Sequence, residues 1–166
     1  PTSTPTTSSA ASDVYKRQVA NSVRKISNFN VALTTIHLNG GKDMIEAASS
    51  EKGNIKILGV SILTSLSEND IFEITHTEFD AYFNNLISIA SNTNVDGVVC
   101  SPNELDKLKN FNKLKVVPGI RKDISDDDQK RVMSPIEAYK KGADFIVVGR
   151  PITKSEDPRK ALELFL

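Results

Sequence analysis

Two arginines in this chain follow the same arrangement of residues. Arg121 closes Val116-Val117-Pro118-Gly119-Ile120-Arg121, and Arg150 closes Phe145-Ile146-Val147-Val148-Gly149-Arg150. Each pairs a short apolar run with a glycine and then a guanidinium. A planar guanidinium holds two oxygens of a phosphate at once, and a glycine lets backbone N–H groups come close to an anion. The pattern suits a phosphate site gripped by Gly149 and Arg150 with Arg121 as a second cation, although on the residues alone a surface arginine after a strand is the simpler reading of Arg150. Between the two arginines lies the charged stretch Lys122 to Arg131, which on composition alone reads as a solvated loop.

Other chemistries lack residues. Two distant histidines, His37 and His76, and one cysteine, Cys100, do not make a zinc site. Neither G-x-x-x-x-G-K-[ST] nor G-x-G-x-x-G occurs, so ATP and dinucleotides are unsupported. His37 stands at the end of an apolar run before Asn39-Gly40-Gly41, where a structural role is the simpler reading. His76 sits in no motif and is expected at the surface, and Cys100 is expected to pack as a small apolar residue.

The elements that must position these residues are well punctuated. Strand candidates are Asn30–His37, Ile55–Leu63, Gly97–Cys100, Leu114–Val117 and Phe145–Val148. They are β-branched runs with little alternation, as in a parallel sheet covered on both faces. Pro118 cannot donate to a ladder, so the fourth run ends there. Ser67-Glu68-Asn69-Asp70, Ser101-Pro102-Asn103-Glu104 and Ser134-Pro135-Ile136-Glu137 each read as an N-cap with an acid three residues on. Gly53 and Gly142 mark helix ends, and a last helix starts near Asp157-Pro158. Strands alternating with helices imply βαβ units.

Size and charge narrow the class. At 166 residues the chain predicts one domain, and a complete (β/α)8 barrel needs about 250 residues. Lys+Arg and Asp+Glu both number 21, which argues against nucleic acid or a membrane surface as the main partner. No apolar run approaches the roughly 18 residues that suggest a membrane span. One cysteine excludes an internal disulfide, so a cytoplasmic setting is expected.

Three segments, Pro118-Gly119-Ile120-Arg121, Asp127-Asp128-Gln129-Lys130-Arg131 and Gly149-Arg150-Pro151-Ile152-Thr153, occur in order at family-like spacing. The chain from Val19 to Leu166 resembles the orotidine 5'-phosphate decarboxylase family. The resemblance implies an α/β fold in which the five strands are the last five βα units of an incomplete (β/α)8 TIM barrel. It implies orotidine 5'-phosphate and UMP as ligands, no cofactor, no metal, and a homodimeric parent. It further implies that Gln129 reaches the phosphate or base from a loop closing over the nucleotide. Thr64, in the Leu63-Thr64-Ser65 turn, would contact the pyrimidine. The stretch Asp123-Ile124-Ser125-Asp126 departs from the family's more glycine-rich loop.

The family's D-x-K-x-x-D motif occurs nowhere after Val19. The resemblance therefore implies parentage without activity in this polypeptide, with aggregation where the barrel is open. Alternatives are a noncatalytic phosphate-ligand binding module and a hexulose-phosphate synthase-like relative. Residues 1–18 are set apart from the domain 19–166. Pro1 to Ser12 is almost wholly Pro, Thr, Ser and Ala, too apolar-poor to form a core. A linker and a targeting segment compete with a foreign scar. The scar is favoured, because Asp13-Val14-Tyr15-Lys16-Arg17-Gln18 matches an in-frame sequencing adapter. The expectation is that Pro1 to Gln18 lacks packed structure.

Overall fold

The computed structural model describes residues 7–121 and 133–165. Five parallel strands run in sequence order: β1 (Leu33–His37), β2 (Lys56–Val60), β3 (Gly97–Val99), β4 (Leu114–Val117) and β5 (Phe145–Ile146). Each neighbouring pair is parallel. The connections contain α2 (Gly41–Ser50), then α3 (Glu68–Thr75) and α4 (Phe79–Ser91), then a 3-10 helix over Pro102–Leu108, then α5 (Pro135–Lys140). A long α1 (Thr7–Ser27) precedes the sheet, and α6 (Arg150–Thr153) and α7 (Pro158–Glu163) follow it. This is an α/β arc of five βα units, the architecture expected for part of a TIM barrel.

The capping signals act as written. Ser67, Ser101 and Ser134 each form a capping box with the acid three residues on, although the element after Ser101 is a 3-10 helix. Gly53 and Gly142 take positive φ (55° and 94°) just past helix ends. Asp157 caps α7 by accepting from the Lys160 amide at 3.0 Å.

Strand residues alternate between two different environments. Ile57, Val98 and Val117 point toward the helices, are fully buried, and join the main core with Phe83, Leu105 and Leu108. One residue away along each strand, side chains face the concave side. Leu58, Val60, Val99, Val116 and Phe145 lie there. None of the five belongs to the main core cluster, and Phe145 is 49% exposed. The expectation of two equally covered faces is corrected. The helix side is closed, whereas the concave side is covered at Leu58 and Val116, half-covered at Val60 and Val99 and open at Phe145, because a barrel interior is fully dry only when the strands close around it.

Four strands are also shorter than expected. Residues 30–32 precede β1, Ile55 precedes β2 and 61–63 lead from it into the turn at Thr64-Ser65, Cys100 follows β3, and Val147 and Val148 follow β5. Apolar composition marked these runs, but ladder pairing ends where a neighbour ends.

Residues 7–18 depart from expectation more sharply. They are helical and form the front of α1. Val23 is buried and Val19 and Ile26 pack against the core, which fixes the helix further along. Propagation from a fixed turn costs little compared with nucleation, and Ala, Lys, Arg and Gln are good helix formers. The Tyr15 hydroxyl lies 3.0 Å from where a Gly40 side chain would begin. Lys16 pairs with Asp13 at 2.7 Å. Residues 7–18 are thus helical where their composition suggested no structure, while Val14 and Tyr15 remain 47% exposed.

Candidate functional site

Parallel strands bring all their carboxyl ends to one rim. His37 ends β1, Val60 ends β2, Val99 ends β3, Val117 ends β4, and Val148-Gly149 follow β5. Loops at that rim hold ligands in barrels of this kind.

Arg121 and Arg150 meet there. With Pro151 and Lys154 they line a cavity of about 310 Å³. No carboxylate lines it among the described residues. The turn that delivers Arg121 depends on Gly119, whose φ of 78° is a conformation other residues rarely adopt. Ile120 bridges Met133 in parallel, and the Arg121 amide donates to the Met133 carbonyl at 3.1 Å. Arg121 is thus fixed by its backbone where Ile120 and Arg121 pair with Met133.

Arg150 opens α6. The amides of Ile152 and Thr153 donate to the Gly149 carbonyl at 3.0 Å each, and that of Lys154 to the Arg150 carbonyl at 3.0 Å. This single turn places Lys154 four residues from Arg150 and on the same side. Nothing lies within 4 Å of where a Gly149 side chain would start, so the space before that backbone is open. Lys154 was not among the expected ligand residues. Its signal in the sequence is the four-residue spacing from Arg150, legible only once α6 is known to be a helical turn.

The remaining expected residues are placed differently. Thr64 is exposed in the turn after β2 and does not line the cavity. Gln129 lies outside the described residues. His37 is exposed at the end of β1. His76 is exposed, as expected, and ends α3 with a φ of 52°. Cys100 is buried, and desolvation together with the nearby Glu104 carboxylate pushes its thiol up to about 12. It is a packed thiol, not a nucleophile.

A larger cavity of about 610 Å³ lies at the opposite, amino-terminal ends of β3 and β4, where Asp96, Lys113, Lys115 and Asp144 line it. Its charges are already engaged. Asp96 accepts from the Ile57 amide at 2.8 Å and from Lys52 at 2.7 Å. Asp144 accepts from the Lys115 amide at 2.7 Å. Lys113 donates to the carbonyls of Ala90 and Thr93 at 2.8 and 2.6 Å, and burial pulls its ammonium below the ordinary value. These contacts tie strand starts together, a stabilising role typical of that face.

An open arc of parallel βα units, with Arg121, Arg150 and Lys154 lining a cavity after its last two strands, defines a protein of the (β/α) barrel class. The sequence profile of the Orotidine 5'-phosphate decarboxylase / HUMPS family matches residues 14–165, and the chain belongs to that family. Orotidine 5'-phosphate decarboxylase of Aquifex aeolicus (strain VF5) is 47% identical over 148 residues, covering 85% of this chain and 64% of its own length. That of Ehrlichia chaffeensis is 40% identical over 162 residues, covering 91% and 70%. The crystal structure of the Lactobacillus acidophilus orotidine 5'-phosphate decarboxylase superposes with a TM-score of 0.77 at 31% identity, covering 90% of this chain and 68% of that one. The chain thus spans about two thirds of the length of these relatives. The profile match includes Val14 to Gln18, within the segment set apart by composition.

No helix among the described residues is long and apolar enough to cross a membrane. No group of three metal-binding side chains occurs among them.

Proposed function

We propose that this chain is the nucleotide-gripping part of an orotidine 5'-phosphate decarboxylase, which converts orotidine 5'-phosphate to UMP and carbon dioxide. The convergence of Arg121, Arg150 and Lys154 on one cavity at the carboxyl ends of the last two strands carries this reading. Arg150 and the backbone at Gly149 hold the substrate phosphate, and Arg121 supplies a second guanidinium. Gln129 reaches the ligand from the 122–132 segment, and Thr64 contacts the pyrimidine from the β2 turn.

In the reaction the bond from ring C6 to the carboxylate breaks, leaving its electron pair on C6, which then takes a proton. An Asp-Lys array, as the family resemblance implies, destabilises the carboxylate, offsets the carbanion charge and delivers that proton. No D-x-K-x-x-D stands in residues 19–166. A polypeptide of these 166 residues therefore binds more than it transforms. Phosphate binding is remote from C6, yet its energy can be spent on orienting the ring. The active assembly is a cytoplasmic homodimer that needs no cofactor. The adapter match of 13–18 favours a foreign origin for residues 1–18, although the family match begins at residue 14.

The test uses a chimera in which the N-terminal third of the Aquifex aeolicus relative precedes residues 19–166. It should bind UMP and decarboxylate orotidine 5'-phosphate, while the 166-residue chain shows no turnover. A chimera that folds but neither binds UMP nor turns over would refute the reading. Binding without turnover would favour the noncatalytic phosphate-ligand module.

A further inference from the structure

His37 stands at the rim with no structural role for its side chain among the described residues. It precedes a 3-10 turn over Leu38–Gly40 at the capping position, yet its side chain makes no capping hydrogen bond. Among the described residues it has no ion pair, hydrogen bond or ring contact, whereas Asn39 beside it accepts from the Tyr82 hydroxyl at 2.8 Å. Ile36 and Leu38 on either side are buried against the helices. Alternation therefore turns His37 to the concave face, in register with Val60.

Its position relative to the cationic cavity is set by topology. β1 and β5 are the two ends of the five-stranded order, four strand steps apart. Four steps are half of an eight-stranded circuit, so the carboxyl ends of β1 and β5 face each other across the mouth. A ligand held by its phosphate at Gly149 and Arg150 extends away from β5. Its far end is directed toward β1.

We infer that His37 contacts the ring end of the bound nucleotide, donating an imidazole N–H to an acceptor oxygen on the pyrimidine. The inference rests on the proposed function, because it takes the phosphate end to lie at Arg150. An imidazole is suited to this contact, being planar and keeping one N–H donor in either neutral tautomer. Its role is to discriminate the ring and fix its position, leaving the phosphate to the arginines.

The experiment compares UMP with ribose 5-phosphate, which keeps the phosphate and sugar and lacks the ring. Dissociation constants are measured by calorimetry in the chimera described above, for the parent, His37→Ala, His37→Gln and Arg150→Ala. His37→Ala should weaken UMP about five- to tenfold, the range of one neutral hydrogen bond, and leave ribose 5-phosphate within twofold. His37→Gln retains N–H donors and should recover most of the UMP affinity. Arg150→Ala should weaken both ligands together. If His37→Ala weakens both equally, or neither, the ring contact is overturned while the phosphate site stands. If the folded parent binds neither ligand, the proposed function fails, and this inference with it. The melting temperature of each variant separates lost binding from lost folding.

Discussion

The two faces of the sheet are made of similar residues and end in different states. On the helix side Ile57, Val98 and Val117 are fully buried, pressed under α2, α4 and the 3-10 helix. On the concave side Phe145 is 49% exposed, and Val147 just beyond it 48%. Local sequence treats these residues alike, since all are apolar and most are β-branched. The difference is that each helix follows its strand along the chain and covers it at once. The concave face is covered only by strands from the other side of a closed barrel. One face is closed by near neighbours in sequence, the other by topology.

The comparison is most strongly tested by closing the barrel. Fully burying a Val, Ile or Phe side chain contributes about 1.5–3 kcal/mol, and whole domains are stable by about 5–15 kcal/mol. Several exposed apolar side chains, with unprotected edges at β1 and β5, should leave the 166-residue chain associated or without a sharp melt. The chimera should be soluble and melt cooperatively. Size-exclusion chromatography and calorimetry decide it, and a monomeric 166-residue chain with a sharp melt would show that the open face is tolerated.

A smaller effect separates the faces within one molecule. In the chimera Ile57→Ala should cost about 2–5 kcal/mol in urea unfolding, the usual range for a buried aliphatic truncation. In the 166-residue chain, amides at Ile57 and Val98 should exchange more slowly than those at Thr35 and Phe145. Uniform exchange across the sheet would erase the distinction.

The two arginine loops give the next comparison. Arg150→Ala in the chimera should weaken UMP by more than about 2 kcal/mol, since charge-assisted contacts to phosphate are the stronger class. Arg121→Ala should cost less, because the backbone at Arg121 already supports its turn. Equal affinities in Arg150→Ala and parent would remove Arg150 from the site.

The least effect is expected at a helix start on the covered side. Ser134→Ala should lower chimera stability by about 1 kcal/mol, as for other N-caps. Hydrogen bonds from Ser134 hold the Glu137 carboxyl below its ordinary value. A lowered carboxyl contributes above its unfolded pKa and loses that contribution as pH falls through its folded pKa. The parent and Ser134→Ala curves should therefore converge in acid, and a gap independent of pH would show that Glu137 takes no part in the cap.

The sequence by itself determined the helix starts and the number and order of the strands. Ser67, Ser101 and Ser134 sit beside the amides they cap, and Gly119 meets a demand of its own backbone. Such signals act over three or four residues and survive in any fold. Tertiary structure alone decided which strand face stays open and that Lys154 joins the arginines. It also decided that residues 7–18 continue a helix fixed by Val23, against the signal of their composition. Each of these depends on contacts between segments far apart in sequence, and composition and spacing do not encode who the distant neighbour is. His37 shows the limit most clearly. Its type and place were legible, but its lack of any structural partner became visible only when the surrounding side chains were in position.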